Sequence, residues 1–316
     1  MTRVAAIDCG TNSIRLLVAD VPPVGPAVDL LRRMEVVRLG QGVDATGRLA
    51  PEAIERTRVV LAEYTEQARD LGVTDLRMVA TSATRDAANR ADFEAMVLAT
   101  LGRSPDVVPG LEEAELSYLG ATASLDLAAA AHGSPPPQPP FLVVDIGGGS
   151  TEFVLGDAAG VRAARSVDIG CVRLTERHLH SDPPTGKETA RAEADIRAAL
   201  ADVRADVPVA DAASLVGLAG SVTTVAALAL RLPAYDAEAI HGSRITVPDV
   251  RAVTADLLAA TRIRRAAMPV MHPGRVDVIG AGSLILRVLM EEFGFAEVVV
   301  SEHDILDGIA LRLARS

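Results

Sequence analysis

Hydrophobic and polar positions along the chain alternate between short apolar runs and helical periods. Residues 4–7 form an apolar run that ends in Asp8-Cys9-Gly10-Thr11-Asn12-Ser13, and residues 14–19 form a second run. The pattern predicts strand, tight polar turn, strand. From Pro51 onward, Ile54, Thr57, Leu61, Tyr64, Ala68 and Leu71 recur at intervals of three and four up to Gly72. This predicts an amphipathic helix with proline in its first turn and glycine at its stop. Residues 76–80 read as a buried strand, 89–101 as a helix and 106–109 as a short strand, with a further helix from Glu112. Strands alternating with helices indicate an α/β lobe.

The stretch 132–140, His-Gly-Ser-Pro-Pro-Pro-Gln-Pro-Pro, cannot continue a helix and reads as a semi-rigid connection. A division at 1–128 and 129–316 follows, with 134–140 as the Pro-rich link and the last helix free to pack back on the first lobe. After the link, residues 141–146 are an apolar strand closed by Gly147-Gly148-Gly149-Ser150-Thr151, and a strand resumes over 152–155. Asp8-x-Gly-x-x-Ser and Asp145-x-Gly-x-x-Ser thus cap equivalent strands, which predicts a duplicated architecture whose turns face each other across a phosphate-holding cleft. Two later turns, Ala219-Gly220-Ser221 and Gly280-Ala281-Gly282-Ser283, read as strand-to-helix junctions. Such a junction suits an anion at a helix N-terminus, or simply tight packing.

Length and composition sharpen this picture. A chain of 316 residues favours two domains, and 49% hydrophobic residues with no Trp suit helices packed on parallel strands. The net charge of −11 argues against a non-specific nucleic-acid or anionic-membrane binder. Lys187 is the only lysine, so nearly every cation is an arginine fork suited to phosphate. Cys9 and Cys171 are the only cysteines, which points to a reducing cytoplasm. The N-terminus does not read as a signal peptide, and the apolar stretch 215–232 is broken by Gly, Ser and Thr and does not read as a membrane span.

Backbone N–H groups of glycine-rich turns bind phosphate oxygens, which makes Asn12, Ser13, Gly147, Gly148, Gly149, Ser150 and Thr151 a candidate cradle; the alternative is that the turns merely close hairpins. Asp8, Asp145 and Glu152 beside those turns would repel phosphate unless a divalent cation intervened, and one or two carboxylates suffice for Mg²⁺. Turn anchoring is their alternative role. Glu112, Glu113 and Glu115 open a helix, where acids ordinarily complement the dipole, yet hydrolysis needs a base and neither a Ser-His-Asp nor a Cys-His arrangement is visible. Arg85 and Asn89 lie four apart at a helix start, facing either a cleft or solvent. His178 with His180, and His303 with Asp304, lack the companions that a metal site requires.

The blocks 6–16, 81–87, 110–114, 145–152 and 170–176, in this order, resemble the signature blocks of the exopolyphosphatase / guanosine pentaphosphate phosphohydrolase family. The resemblance implies an α/β fold of two duplicated ribonuclease H-like lobes of the actin / sugar kinase / chaperone ATPase superfamily, with an interlobe active-site cleft. It implies a catalytic Glu113, metal-associated Asp145 and Glu152, and phosphate-binding glycine turns. Arg85, Asn89, Gly220 and Ser221 are further substrate candidates. The implied cofactor is Mg²⁺, replaceable by Mn²⁺, and the implied assembly is a homodimer. The expected activity is release of orthophosphate from inorganic polyphosphate, with guanosine pentaphosphate as alternative substrate, a kinase or ATPase of the same superfamily as a further enzyme class, and a non-catalytic alarmone sensor as the non-enzymatic alternative. Leu306 departs from the family pattern, which places an arginine there, and the absence of a helical C-terminal extension points to shorter polyphosphate chains.

Overall fold

A computed structural model of the protein describes residues 1–23 and 25–315. The chain opens with an antiparallel meander of β1 (Thr2–Cys9), β2 (Ser13–Val21) and β3 (Val28–Val36). Next come α1 (Val43–Thr46), α2 (Pro51–Asp70), β4 (Asp75–Ala80), α3 (Ser82–Asp86), α4 (Arg90–Leu101), β5 (Asp106–Val107) and α5 (Gly110–Thr122). The first sheet has the order β3-β2-β1-β4-β5, with β4 parallel to β1 and β5 parallel to β4.

After α6 (Leu125–Ala131), β6 (Phe141–Ile146), β7 (Thr151–Asp157) and β8 (Gly160–Val167) repeat the meander. Then follow α7 (Cys171–His178), α8 (Gly186–Asp206), β9 (Ser214–Leu218), α9 (Ala219–Ala229), α10 (Ala237–Ile240), β10 (Arg244–Thr246), α11 (Val247–Ala259), α12 (Arg262–Ala266), α13 (Ile279–Phe293), β11 (Glu297–Val300) and α14 (Ile305–Ala314). The second sheet reads β10-β11-β9-β6-β7-β8. From the meander inward, β8-β7-β6-β9-β11 reproduces the first sheet's order, with β10 added antiparallel at the edge. Both sheets therefore have ribonuclease H-like topology, the duplicated fold of the actin and sugar kinase superfamily.

Two compact units result: Met1–Ala123 with the chain from Asp304 onward, and Ser124–His303. The division falls at Ala123/Ser124, earlier than the 128/129 boundary read from the Pro-rich segment. The reason is packing: Ala128 of α6 lies against Gly242, and Ser124 Oγ bonds to His241 Nε2 at 3.1 Å. Residues 134–140 lie inside the second unit, where Pro135 O accepts from Arg244 Nη2 and Gln138 N–H donates to Ser214 Oγ, both at 2.9 Å. The last helix belongs to the first unit. A Cβ on Gly120 of α5 would strike the carbonyl of Asp304, and one on Gly308 of α14 would strike that of Leu116, so glycine on both helices permits their close approach.

Period two along β1 splits the first core. Ala5, Ile7 and Cys9 pack with Leu61, Tyr64 and Phe93 beneath α2 and α4, while Val4 and Ala6 pack with Leu116, Ile305, Leu306 and Ile309 of α5 and α14. Asp8 shares the second face, which carries it toward α5 and the start of α14. The Gly280–Ser283 stretch differs from expectation: it lies within the first turn and a half of α13, preceded by a turn rather than a strand. Its small residues serve close packing, since a Cβ on Gly282 would come within 2.7 Å of Ser221 Cβ.

Candidate active site

In the first unit, the turn between β1 and β2 closes through Gly10 N–H to Ser13 O at 3.0 Å. Its carbonyls are tied down: Thr11 O accepts from Gly40 N–H at 2.8 Å, and Asn12 O accepts from Val37 and Arg38 N–H at 3.1 and 2.8 Å. The N–H groups of Thr11 and Asn12 enter no backbone bond among the described turn and loop contacts. Acceptors face inward and donors are left over, the polarity an anion requires. A buried bond between Thr11 and Ser82 hydroxyls, 2.9 Å long, joins this turn to the 81–86 block.

That block delivers Arg85, whose Nη1 donates to Glu113 Oε2 at 2.9 Å and to Val108 O at 3.0 Å. Glu113 stands in the first turn of α5 and is only 7% exposed, whereas Glu112, half-buried, pairs with Arg77 at 2.8 Å. The structure therefore separates the two neighbouring glutamates, one in the buried layer and one in a surface ion pair. Asn89 is placed differently from Arg85: its Oδ1 accepts from Leu49 N–H at 2.8 Å and its Nδ2 donates to Leu49 O at 3.1 Å, so the amide latches the 47–49 loop.

Asp8 is 4% exposed and receives Arg15 Nε at 3.0 Å and Nη2 at 2.6 Å, both on Oδ2. Burial raises its carboxyl above the usual range, against the pull of Arg15. Burial also pushes the Cys9 thiol well up, with the Asp8 charge adding to the effect. Cys9 is therefore a packing residue rather than a nucleophile.

In the second unit, Gly147 N–H closes the turn on Ser150 O at 3.1 Å. Here the carbonyls are held by the start of α7: Gly147 O accepts from Cys171 N–H, and Gly148 O from Val172 and Arg173 N–H. Arg173 Nε adds a bond to Gly149 O at 2.7 Å. Gly170 makes this seat possible, because a Cβ there would fall within 2.6 Å of Gly149 N. The N–H groups of Gly148 and Gly149 enter no backbone bond among the described turn and loop contacts. Thr151 is buried and spends its hydroxyl on Ile169 O at 2.5 Å. In the same unit Arg275 lies flat against Gly220 and donates to Gly220 O at 3.1 Å and Thr224 Oγ1 at 3.0 Å, bracing the first turn of α9 beside Ser221.

Asp145 and Glu152 are direct cross-strand partners, 8% and 1% exposed, with Ser166 Oγ donating to Glu152 Oε1 at 2.7 Å. Like charges placed opposite one another in a sheet repel, and a cation relieves this. Among the described residues no three His, Cys, Asp or Glu side chains converge into a protein-only metal cage. Mg²⁺ keeps several waters and needs one or two carboxylates. The cross-strand pair fits that requirement within the second unit; in the first unit the buried Asp8 Oδ1 has no hydrogen-bond partner. His178 pairs with Asp195 at 3.0 Å at the end of α7.

A family model described as the Ppx/GppA phosphatase family matches residues 17–316. The chain belongs to that family. It is 52% identical over 326 aligned residues to Exopolyphosphatase 2 of Mycobacterium tuberculosis, with 99% of each chain covered. A crystal structure described as an exopolyphosphatase-like protein matches with a TM-score of 0.92 at 40% identity, covering 99% of both chains. The Aquifex aeolicus PPX-GPPA enzyme matches with a TM-score of 0.78 at 31% identity, covering 98% of this chain and 99% of that one.

Within this Ppx/GppA chain, the departure at Leu306 has a structural meaning: the side chain is 1% exposed and packs in the core with Val4, Leu17 and Ile309. It cannot touch phosphate. Three arginines that are not among the sequence candidates organise the turns: Arg15, Arg173 and Arg275. Arg15 and Arg173 lie within the blocks 6–16 and 170–176, where their side chains could have been singled out; Arg275 approaches its turn from a distant position and has no local signal.

Proposed function

We propose that the protein is an exopolyphosphatase, a hydrolase that releases terminal orthophosphate from inorganic polyphosphate. The observation that carries this reading is likeness over the full chain to a protein named as an exopolyphosphatase, with Glu113 buried in the first turn of α5 beside Arg85. Guanosine pentaphosphate is the alternative substrate and the less favoured one, since the relatives named for it are more distant and extend well beyond this chain.

Glu113 orients or deprotonates the attacking water, and Arg85 fixes the carboxylate. The free N–H groups of the two glycine-rich turns hold phosphate oxygens. Asp145 and Glu152 of the second unit would hold Mg²⁺, which would supply positive charge to offset the polyanion, and Mn²⁺ would substitute; Asp8 is the candidate metal-associated carboxylate of the first unit. Positioning and electrostatics therefore dominate, as in phosphoryl transfer generally. The net charge of −11 supports a partner list without nucleic acid, and two buried thiols support a cytoplasmic location. No described helix is long and apolar enough to cross a membrane. A homodimer is proposed on family resemblance.

The test is orthophosphate release with Mg²⁺ from short polyphosphate, long polyphosphate, guanosine pentaphosphate and ATP, using wild type and Glu113→Gln. Preference for polyphosphate, lost in the variant, supports the reading. Tight binding of guanosine pentaphosphate without release from any substrate overturns it in favour of a sensor.

A further inference from the structure

The chain passes between its two units twice, at Ala123/Ser124 and at His303/Asp304. The residues on the second unit's side of both passages are bonded to each other within that unit: Ser124 Oγ lies 3.3 Å from His303 Nδ1 and 3.1 Å from His241 Nε2. The two imidazoles stack, with centroids 4.5 Å apart and planes 9° from parallel. The loop that carries His241 is anchored on the strand that leads to His303, since Gly242 N–H donates to Val300 O at 2.7 Å and Val300 N–H to Ser243 O at 2.9 Å. A third histidine joins them: His132, just after α6, donates from Nε2 to His241 O at 2.7 Å.

One bond fixes the direction of this network. Glu302 N–H can only donate, and it donates to His241 Nδ1 at 3.3 Å. The His241 proton therefore sits on Nε2 and is given to Ser124 Oγ, which leaves the serine hydrogen for His303 Nδ1. Protonation strikes the three histidines differently. His132 keeps its donor and its bond. His303 asks only that the serine hydrogen rotate, because Oγ can accept from both rings. His241 has no such escape: a proton on Nδ1 faces a backbone N–H that cannot turn, and the new cation stands against the other ring. The nearby charges are held elsewhere: Glu302 accepts from Tyr235 OH at 2.5 Å, Asp236 caps α10, and Asp304 takes Arg15 and Leu306 N–H, while Asp126 of α6 and Glu238 of α10 are exposed. We propose that Ser124, His241 and His303 form a proton-sensitive clasp that fastens together the second unit's two chain passages, closed while His241 is neutral and released when it takes a proton. Imidazole suits this task, since it is the side chain that changes charge between about pH 5 and pH 8.

Hydrogen exchange of the full chain tests this, read by mass spectrometry from about pH 8 to pH 5 and expressed relative to unstructured peptide at the same pH. Because the closed form excludes one proton, opening of the segments 124–132 and 301–303 should increase by up to about tenfold per pH unit once His241 titrates. His241→Asn keeps an acceptor for Glu302 N–H and cannot titrate, so its protection should not change with pH. His132→Asn and His303→Asn should keep the wild-type step. Circular dichroism checks the fold of each variant, and ¹⁵N chemical shifts of the wild-type imidazoles read the tautomer directly: neutral His241 should carry its proton on Nε2. A proton on Nδ1 instead, or a step that survives His241→Asn, would overturn the inference. So would wild-type protection that is flat with pH or falls alike across the whole chain, and a step that disappears in His303→Asn.

Discussion

Arg85 Nη1 lies 2.9 Å from Glu113 Oε2 and 3.0 Å from Val108 O, so one guanidinium joins the 81–87 block to the first turn of α5. Neither residue is isolated, and their functions are expected to be coupled. Glu113→Gln should lower kcat roughly a hundred- to ten-thousand-fold, the usual contribution of a positioned base, with an unchanged circular dichroism spectrum. Arg85→Lys should cost less in a Glu113→Gln background than in wild type. Steady-state phosphate release across the four proteins of this cycle measures the coupling, and strictly additive losses would contradict it.

The cross-strand carboxylates predict a metal-dependent stability. Glu152→Gln removes the like-charge repulsion with Asp145 and should raise metal-free stability by about 0.2–1 kcal/mol. The same change should abolish the rise in melting temperature that Mg²⁺ gives the wild type. Thermal melts with and without Mg²⁺ read both effects, and an undiminished Mg²⁺ response in the variant would remove Glu152 from the metal site.

Asp8 and Asp304 share Arg15 and should respond to pH with opposite signs. For Asp304, burial opposes ionisation, but Arg15, Arg32 and the Leu306 N–H hold the carboxyl below its usual range. Its contribution is present above the unfolded pKa and is lost as pH falls through the folded one. For Asp8 the folded value is raised, so ionisation costs stability above the folded pKa, and that cost disappears as pH falls below the unfolded value. Asp304→Asn should therefore destabilise at neutral pH by about 1.5–3 kcal/mol, the range for hydrogen bonds to charged groups, and flatten the acid loss. Asp8→Asn should not destabilise at neutral pH. Urea unfolding from pH 7 to pH 3 distinguishes the two, and equal losses at pH 7 would refute the assignment.

Two glycines should refuse a methyl group for different reasons. Gly170→Ala would press on Gly148 and Gly149, lowering activity and costing about 1–3 kcal/mol through local displacement. Gly120→Ala would strike the Asp304 carbonyl and force α5 from α14, with a comparable or larger loss of stability. Melting temperature with activity at saturating substrate separates them: the first variant should lose activity while still folded, and the second should lose the fold first.

Much of this protein was legible in its sequence because the signals were local. Apolar runs ending in Asp8-x-Gly and Asp145-x-Gly announced the two hairpins, and the three-four spacing from Pro51 announced α2, since strand and helix periods follow from backbone geometry alone. The duplication, and with it the fold class, came from the same pattern occurring twice. The five ordered blocks carried the family. Tertiary structure decided what depends on contacts distant in the chain. Only packing showed that the unit boundary falls before α6, and packing decided that α14, left free to do so by the sequence, returns to the first unit, where Gly120 and Gly308 let two helices touch. Only the folded chain showed that Asn89 latches Leu49, that Arg275 lies on Gly220, and that Asp304 reaches Arg15 across 289 positions to complete the ion pairs of Asp8. The physical reason is common to all of these: a side chain's period states which face it occupies, but its partner on that face is set by whichever distant element the fold brings there.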